Sequence, residues 1–108
     1  MDIQLKRGLL EVCVLAELDK GDSYGYQIVK DLSEVVDISE STLYPILKRL
    51  EASDCLRVFS VEHNGRLRRY FSITNEGRKR IKDFVNEWEE VMNVYSFIIG
   101  INKRGTTI

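Results

Sequence analysis

A chain of 108 residues is enough for one domain and too short for two. An apolar content of 44% with one proline and seven glycines excludes a disordered or collagen-like chain. The lack of any apolar run of about 18 residues excludes a transmembrane helix. The net charge of −1 taken alone argues against a nucleic-acid partner, but its distribution does not. Residues 1–55 carry 6 basic and 11 acidic side chains. Residues 56–82 carry Arg57, Arg66, Arg68, Arg69, Arg78, Lys79, Arg80 and Lys82 against Glu62 and Glu76. Positive charge gathered in one quarter of the chain is what a phosphate-binding surface would show, and equally what a solvated basic face would show.

Met1-Asp2-Ile3-Gln4 has none of the basic, apolar and small-residue regions of a signal peptide, so a cytoplasmic location is expected. Two cysteines are too few for a disulfide scaffold, and both are expected as free thiols. Cys13 lies in a strongly apolar stretch and reads as a buried, inert thiol, whereas Cys55 reads as nearer the surface.

Residues 5–19 read as a first helix. Eight of the ten residues from Leu9 to Leu18 are apolar, so it should be covered on more than one face. Lys20-Gly21-Asp22 ends it, and Ser23 is a candidate cap for a second helix over about 24–35, with Ile28, Leu32, Val35 and Val36 at helical spacing. Asp37 and Ile38 break that pattern. Ser39 or Ser41 can cap a third helix reaching about Ser53, whose inward stripe is Leu43, Ile46, Leu47 and Leu50. Pro45 falls early in this helix, where a missing donor costs least, with some bending expected.

The period then changes. Residues 56–62 and 67–74 are rich in β-branched and aromatic side chains, and Asn64-Gly65 between them supplies the two positive φ angles of a type I′ hairpin. A two-residue loop pairs Val58 with Phe71 and Leu56 with Ile73 on one face. The other face presents Arg57, Phe59, Val61, Arg68, Tyr70 and Ser72, and the tip carries His63, Asn64 and Arg66. A final helix is expected from Thr74 or Asn75 to about Ile99, stopped by Gly100. Its apolar residues Ile81, Phe84, Val85, Trp88, Val91, Met92, Tyr95, Ile98 and Ile99 follow a seven-residue repeat. A compact body can cover only the first part of that stripe, and a second copy of the chain is the simplest cover for the rest.

The expected fold is therefore mainly α with a small β-hairpin: a winged helix-turn-helix over 1–74, a dimerisation helix over 75–100 and a flexible tail over 101–108. In that arrangement the third helix lies in the major groove of DNA. Its outward side chains include Ser39, Glu40, Ser41, Thr42, Tyr44 and Lys48. The hydroxyls can bond to bases or phosphates, and Tyr44 can pack on a sugar or thymine methyl or against the second helix. No Arg or Asn in the first turns offers a bidentate base contact, so DNA shape should carry part of the specificity. Arg66, Arg68 and Arg69 are expected to hold phosphates or enter the minor groove.

Residues 24–28 (YGYQI), 41–51 (STLYPILKRLE) and 65–77 (GRLRRYFSITNEG) occur in the order found in the PadR-type transcriptional regulators, and the chain resembles the short members of that family over nearly its whole length. Phe71-Ser72 departs from it, where the family often has a second tyrosine followed by a basic or polar residue. The resemblance implies a dimeric repressor on a pseudo-palindromic operator. It also implies, for some short members, a flat aromatic effector held between tryptophans of the last helix. Trp88, eleven residues after Gly77, matches the placement of that tryptophan and is the candidate ligand-stacking residue. An ordinary interface anchor is its other reading.

An enzyme is not expected. His63 is the single histidine, the cysteines are forty-two residues apart, and no glycine-rich phosphate loop occurs, so no cofactor or metal is expected either. The acidic residues read as lying mainly on outward helix faces. The alternative function is a winged-helix module that binds another protein and not DNA. Loss of DNA affinity with rising salt separates the two.

Overall fold

In a computed structural model the chain is described over residues 1–101. Helix α1 spans Ile3–Leu18, strand β1 Ser23–Tyr24, α2 Gly25–Leu32, α3 Glu40–Ala52, β2 Leu56–His63, β3 Arg66–Ile73 and α4 Asn75–Ile98. Residues 102–108 of the expected tail lie outside the described residues.

Capping explains where the helices begin. Asp2 accepts hydrogen bonds from the amides of Gln4 and Leu5 at the start of α1. The Ser39 hydroxyl accepts from the Thr42 amide and starts α3, so Ser39 and not Ser41 is the cap. At α4 the Thr74 hydroxyl accepts from the Gly77 amide at 3.1 Å and donates to the Asp54 carbonyl at 2.6 Å, which ties the helix start to the base of the wing. Pro45 lies inside α3 and withholds a hydrogen bond from the Ser41 carbonyl one turn back.

The hairpin has the expected register, with Val58 opposite Phe71 and Leu56 opposite Ile73. Its turn places Asn64 at φ 53° and Gly65 at φ 78°, the left-handed pair that this tight connection requires. The sheet has a third strand that the sequence did not announce. Residues Ser23 and Tyr24 pair antiparallel with Phe71 and Tyr70, giving the strand order β1-β3-β2. Ser23 is consequently a strand residue and not a cap. Tyr24 occupies the cap position of α2, with no side-chain hydrogen bond.

Helix α2 is shorter than its apolar spacing suggested. It ends at Leu32, where the Val35 and Val36 amides both turn back to the Leu32 carbonyl; Val36 packs on the core and Val35 points to solvent. Leu10, Val14, Leu15 and Leu18 of α1 form the centre of one core. Ile28 and Leu32 of α2, the inward stripe of α3, and Leu56, Phe71 and Ile73 of the wing close around them. Cys55 belongs to this core, contrary to its expected place near the surface. Asp54 adopts a left-handed φ of 62°, which folds the chain back so that the Cys55 amide bonds to the Leu50 carbonyl and its own carbonyl accepts from the Thr74 amide. Cys13 is half-buried, and burial pushes its thiol up from the ordinary range. No helix among the described residues is long and apolar enough to cross a membrane.

Candidate nucleic-acid interface

The helix-turn-helix pair is α2 and α3, and the wing is the β2–β3 hairpin. At the exposed start of α3 the Ser39 hydroxyl is within hydrogen-bond reach of two others. Ser39 lies 3.0 Å from Ser41 and 3.1 Å from Thr42. Ser39 is committed to capping its own helix, so Ser41 and Thr42 are the freer of the three to turn outward. Of the two roles expected of Tyr44, the packing against the second helix is the one seen here. Its ring leans over Gly25, where a Cβ would meet the ring carbon Cζ at 2.9 Å and collide with the hydroxyl as well, yet the side chain remains exposed. Only glycine at position 25 leaves room for the tyrosine in this place.

Lys48 and Arg69 line a cleft between α3 and the wing together with Tyr44, Leu47, Glu51 and Phe71. Strand alternation separates the wing arginines that the sequence grouped together. Arg69 shares the helix-facing side of β3 with Phe71, whereas Arg68 lies over the Tyr24 ring on the other face, 4.1 Å from its centroid. Arg66 stands beside the turn, opposite His63. Behind Arg68 an aromatic row braces the sheet: Tyr24 meets Tyr70 edge-on at 5.3 Å and Phe59 stacks on Tyr70 at 5.7 Å. Phe59 and Tyr70 were legible as cross-strand partners. Tyr24 was not, because its strand was not.

The basic segment divides into two populations. Arg78 bonds to Asp19, Lys79 to Asp83 and Arg80 to Glu11, so three cations of α4 serve the fold. The hydrogen bond and charge of Asp83 hold the Lys79 ammonium above its ordinary range. Lys82 of α4 and Arg57, Arg66, Arg68 and Arg69 of the wing have no carboxylate within ion-pair distance among the described residues, which leaves the wing with uncompensated positive charge.

Glu11 is the exception to the reading of the acids as lying mainly on outward helix faces. Its side chain is 9% exposed and accepts from Arg49 at 2.9 Å and from Arg80 at 2.8 Å. Its position in the apolar run of α1, between Leu10 and Val12, is the one sequence sign of this.

Along α4, Ile81, Phe84 and Trp88 are partly covered, whereas Val85, Val91, Met92, Tyr95, Ile98 and Ile99 are exposed. Val94 and Phe97, outside the seven-residue repeat, are exposed too, so apolar surface wraps further round the helix than the repeat indicated. Trp88 stacks on Phe84 with ring centroids 5.6 Å apart and borders two shallow apolar depressions, one towards Met92 and one towards Tyr95. Among the described residues no group of three or more His, Cys, Asp or Glu side chains could hold a metal ion.

The profile of the transcriptional regulator PadR-like family matches residues 14–83. A transcriptional regulator from Clostridium thermocellum is 35% identical, with 86% of this chain and 95% of that one covered at a TM-score of 0.77. A protein from Streptococcus mutans is 39% identical, with 87% and 90% covered and a TM-score of 0.74. Bacillus subtilis PadR, solved in complex with operator DNA, is 21% identical over 71% of this chain and 46% of its own, with a TM-score of 0.67, a likeness of fold. The family is one of transcription regulators and not of enzymes. With two thirds of its length inside the family profile and a winged helix-turn-helix around its core, the chain belongs to the PadR-like family of transcriptional regulators.

Proposed function

We propose that the protein is a cytoplasmic transcriptional repressor that binds a pseudo-palindromic DNA operator as a homodimer. Residues 1–74 act as the DNA-binding unit and residues 75–100 as the dimerisation helix. Ser41, Thr42, Tyr44 and Lys48 of α3 face the major groove, with Ser39 holding the start of that helix. Arg66, Arg68 and Arg69 hold backbone phosphates on either side of the wing. The observation that carries this reading is the uncompensated charge of the wing, beside a family of transcription regulators and a B. subtilis relative crystallised on its operator.

The exposed apolar face of α4, with Phe97 and Ile98 each 72% accessible, supports dimerisation, because a soluble monomer rarely leaves so much apolar surface bare. Trp88 then anchors the interface. A flat aromatic effector stacking on it would act by prying the two copies into a different relative angle. Repression follows the family resemblance.

Fluorescence anisotropy with labelled operator DNA tests the reading. Replacing Arg66, Arg68 and Arg69 together by Glu should abolish binding and leave the dimer intact. Unchanged DNA affinity in that variant contradicts the role given to the wing.

A further inference from the structure

We propose that Glu11 is a positioning residue for operator recognition: it fixes the angle between α3 and α4, and so sets the half-site spacing that the dimer accepts. The inference rests on the dimeric DNA-binding reading above and adds to it the element that links its two halves.

Helices α3 and α4 both pack on α1, and Glu11 of α1 reaches both. Its Oε2 accepts from Nε of Arg49 on α3 at 2.9 Å, and its Oε1 accepts from Nη2 of Arg80 on α4 at 2.8 Å. Each oxygen of one carboxylate is thus given to a different helix. The Glu11 side chain is nearly buried, whereas the two arginine side chains are each 42% exposed. Arg80 is held a second time by Nη1, which lies 3.9 Å from the Cys55 sulfur at the foot of β2.

A buried carboxylate between two arginines is a poor way to gain stability, because desolvation consumes most of the Coulombic gain and well-packed apolar side chains would serve as well. What such a group supplies is geometry. Each guanidinium gives the carboxylate one charge-assisted hydrogen bond, so Glu11 ties α3 and α4 to a common point on α1, and neither helix can tilt far without losing a bond. Without the charge, Arg49 and Arg80 face each other as like charges at the same spot and press the helices apart.

The lever is long enough to matter. Ser41 lies eight residues before Arg49, about 12 Å along the helix axis at ~1.5 Å per residue. A tilt of α3 by about 10° around Arg49 moves Ser41 by about 2 Å, against the ~3.4 Å between successive base pairs. In a two-fold dimer the partner's recognition helix moves equally, so the separation of the two helices changes by up to about one base-pair step. Operators read by such dimers have half-sites about 34–36 Å apart, and one added base pair also rotates the second half-site by about 34°. A rigid α3–α4 angle makes the dimer intolerant of that change, and a loosened one makes it tolerant.

The test uses the full-length protein and an operator recovered by selection from random duplex DNA. Duplexes with the selected spacing, with one or two base pairs added or removed, and with a single half-site are titrated by anisotropy. Wild type should lose at least about tenfold in affinity on a one-base-pair change. Glu11→Gln should lose less than about threefold, while remaining a dimer by sedimentation and binding the single half-site within about threefold of wild type. Arg80→Gln releases the α4 arm at a half-exposed position and should flatten the spacing profile in the same way; it decides the matter if Glu11→Gln fails to fold. A wild type with a sharp spacing preference that the folded variants retain overturns the positioning role alone. A wild type that binds none of the duplexes overturns the DNA-binding reading and the positioning role with it.

Discussion

Replacing Gly77 by alanine should destabilise the protein, although alanine is the better helix former. Gly77 is buried in the first turn of α4, where its amide bonds to the Thr74 hydroxyl. A Cβ built there would lie 2.5 Å from the Cys55 carbonyl oxygen and 2.7 Å from Cγ1 of Ile73. The first neighbour is backbone, fixed by its hydrogen bond from the Thr74 amide, so the helix start and the base of the wing must separate. Overpacking of this kind costs about 1–3 kcal/mol, and a weakened cap adds about 1 kcal/mol. The higher helix propensity of alanine returns about 1 kcal/mol. The net loss is about 1–3 kcal/mol, which for a domain of this size lowers the melting temperature by roughly 5–20 °C. The control is Gly8→Ala, in the exposed interior of α1 with nothing within 4 Å of the added carbon, where a gain of about 0.5–1 kcal/mol is expected. Circular-dichroism melts and urea titrations at one fixed protein concentration measure both, since a dimer's stability depends on concentration. A Gly77→Ala protein as stable as wild type would refute the close-approach argument.

Removing one cation from the wing should change the salt dependence of binding. Arg69→Gln, present twice in the proposed dimer, should lower the slope of log K against log salt by about 2 if each Arg69 neutralises one phosphate, and an unchanged slope shows that it does not. Val94→Glu with Ile98→Glu places two charges on the exposed face of α4 and should raise the dimer dissociation constant by at least about 100-fold, read by sedimentation velocity; a persistent dimer moves the interface elsewhere. With its thiol pushed up by burial, Cys13 should react with iodoacetamide at neutral pH at least about tenfold more slowly than a free cysteine, and become reactive in urea. Rapid stoichiometric labelling of the folded protein would contradict that environment.

The parts of this fold that can be read from sequence are those specified locally. Asn64-Gly65 sets the hairpin register because only residues tolerant of positive φ make that turn, and once the turn is placed every pair from His63–Arg66 to Leu56–Ile73 follows. Thr74 and Ser39 mark helix starts through their own hydroxyls. The parts that are not legible depend on distant partners. Strand β1 has two residues, too few for any period, and exists because β3 is beside it. Val35 continues the spacing of α2 but falls beyond the point where the chain turns back on Leu32. Cys55 reads as surface until Asp54 reverses the backbone, and Glu11 reads as one acid among many until Arg49 and Arg80 converge on it from residues 38 and 69 positions away. The wing arginines show the same limit at the candidate site. Their charge and, through strand alternation, the separation of Arg68 from Arg69 are visible in the sequence, but the Tyr24 ring under Arg68 emerges only with β1.

Binding to the promoter region upstream of its own gene tests the central claim most directly. Labelled promoter DNA and a scrambled duplex of equal length are titrated by fluorescence anisotropy at ~50 and ~200 mM salt. A dimeric operator-binding regulator should bind the promoter tightly and sequence-dependently, with affinity falling steeply at the higher salt. Equal, weak binding to both duplexes would reduce the wing to nonspecific phosphate attraction and contradict the assignment as an operator-binding regulator.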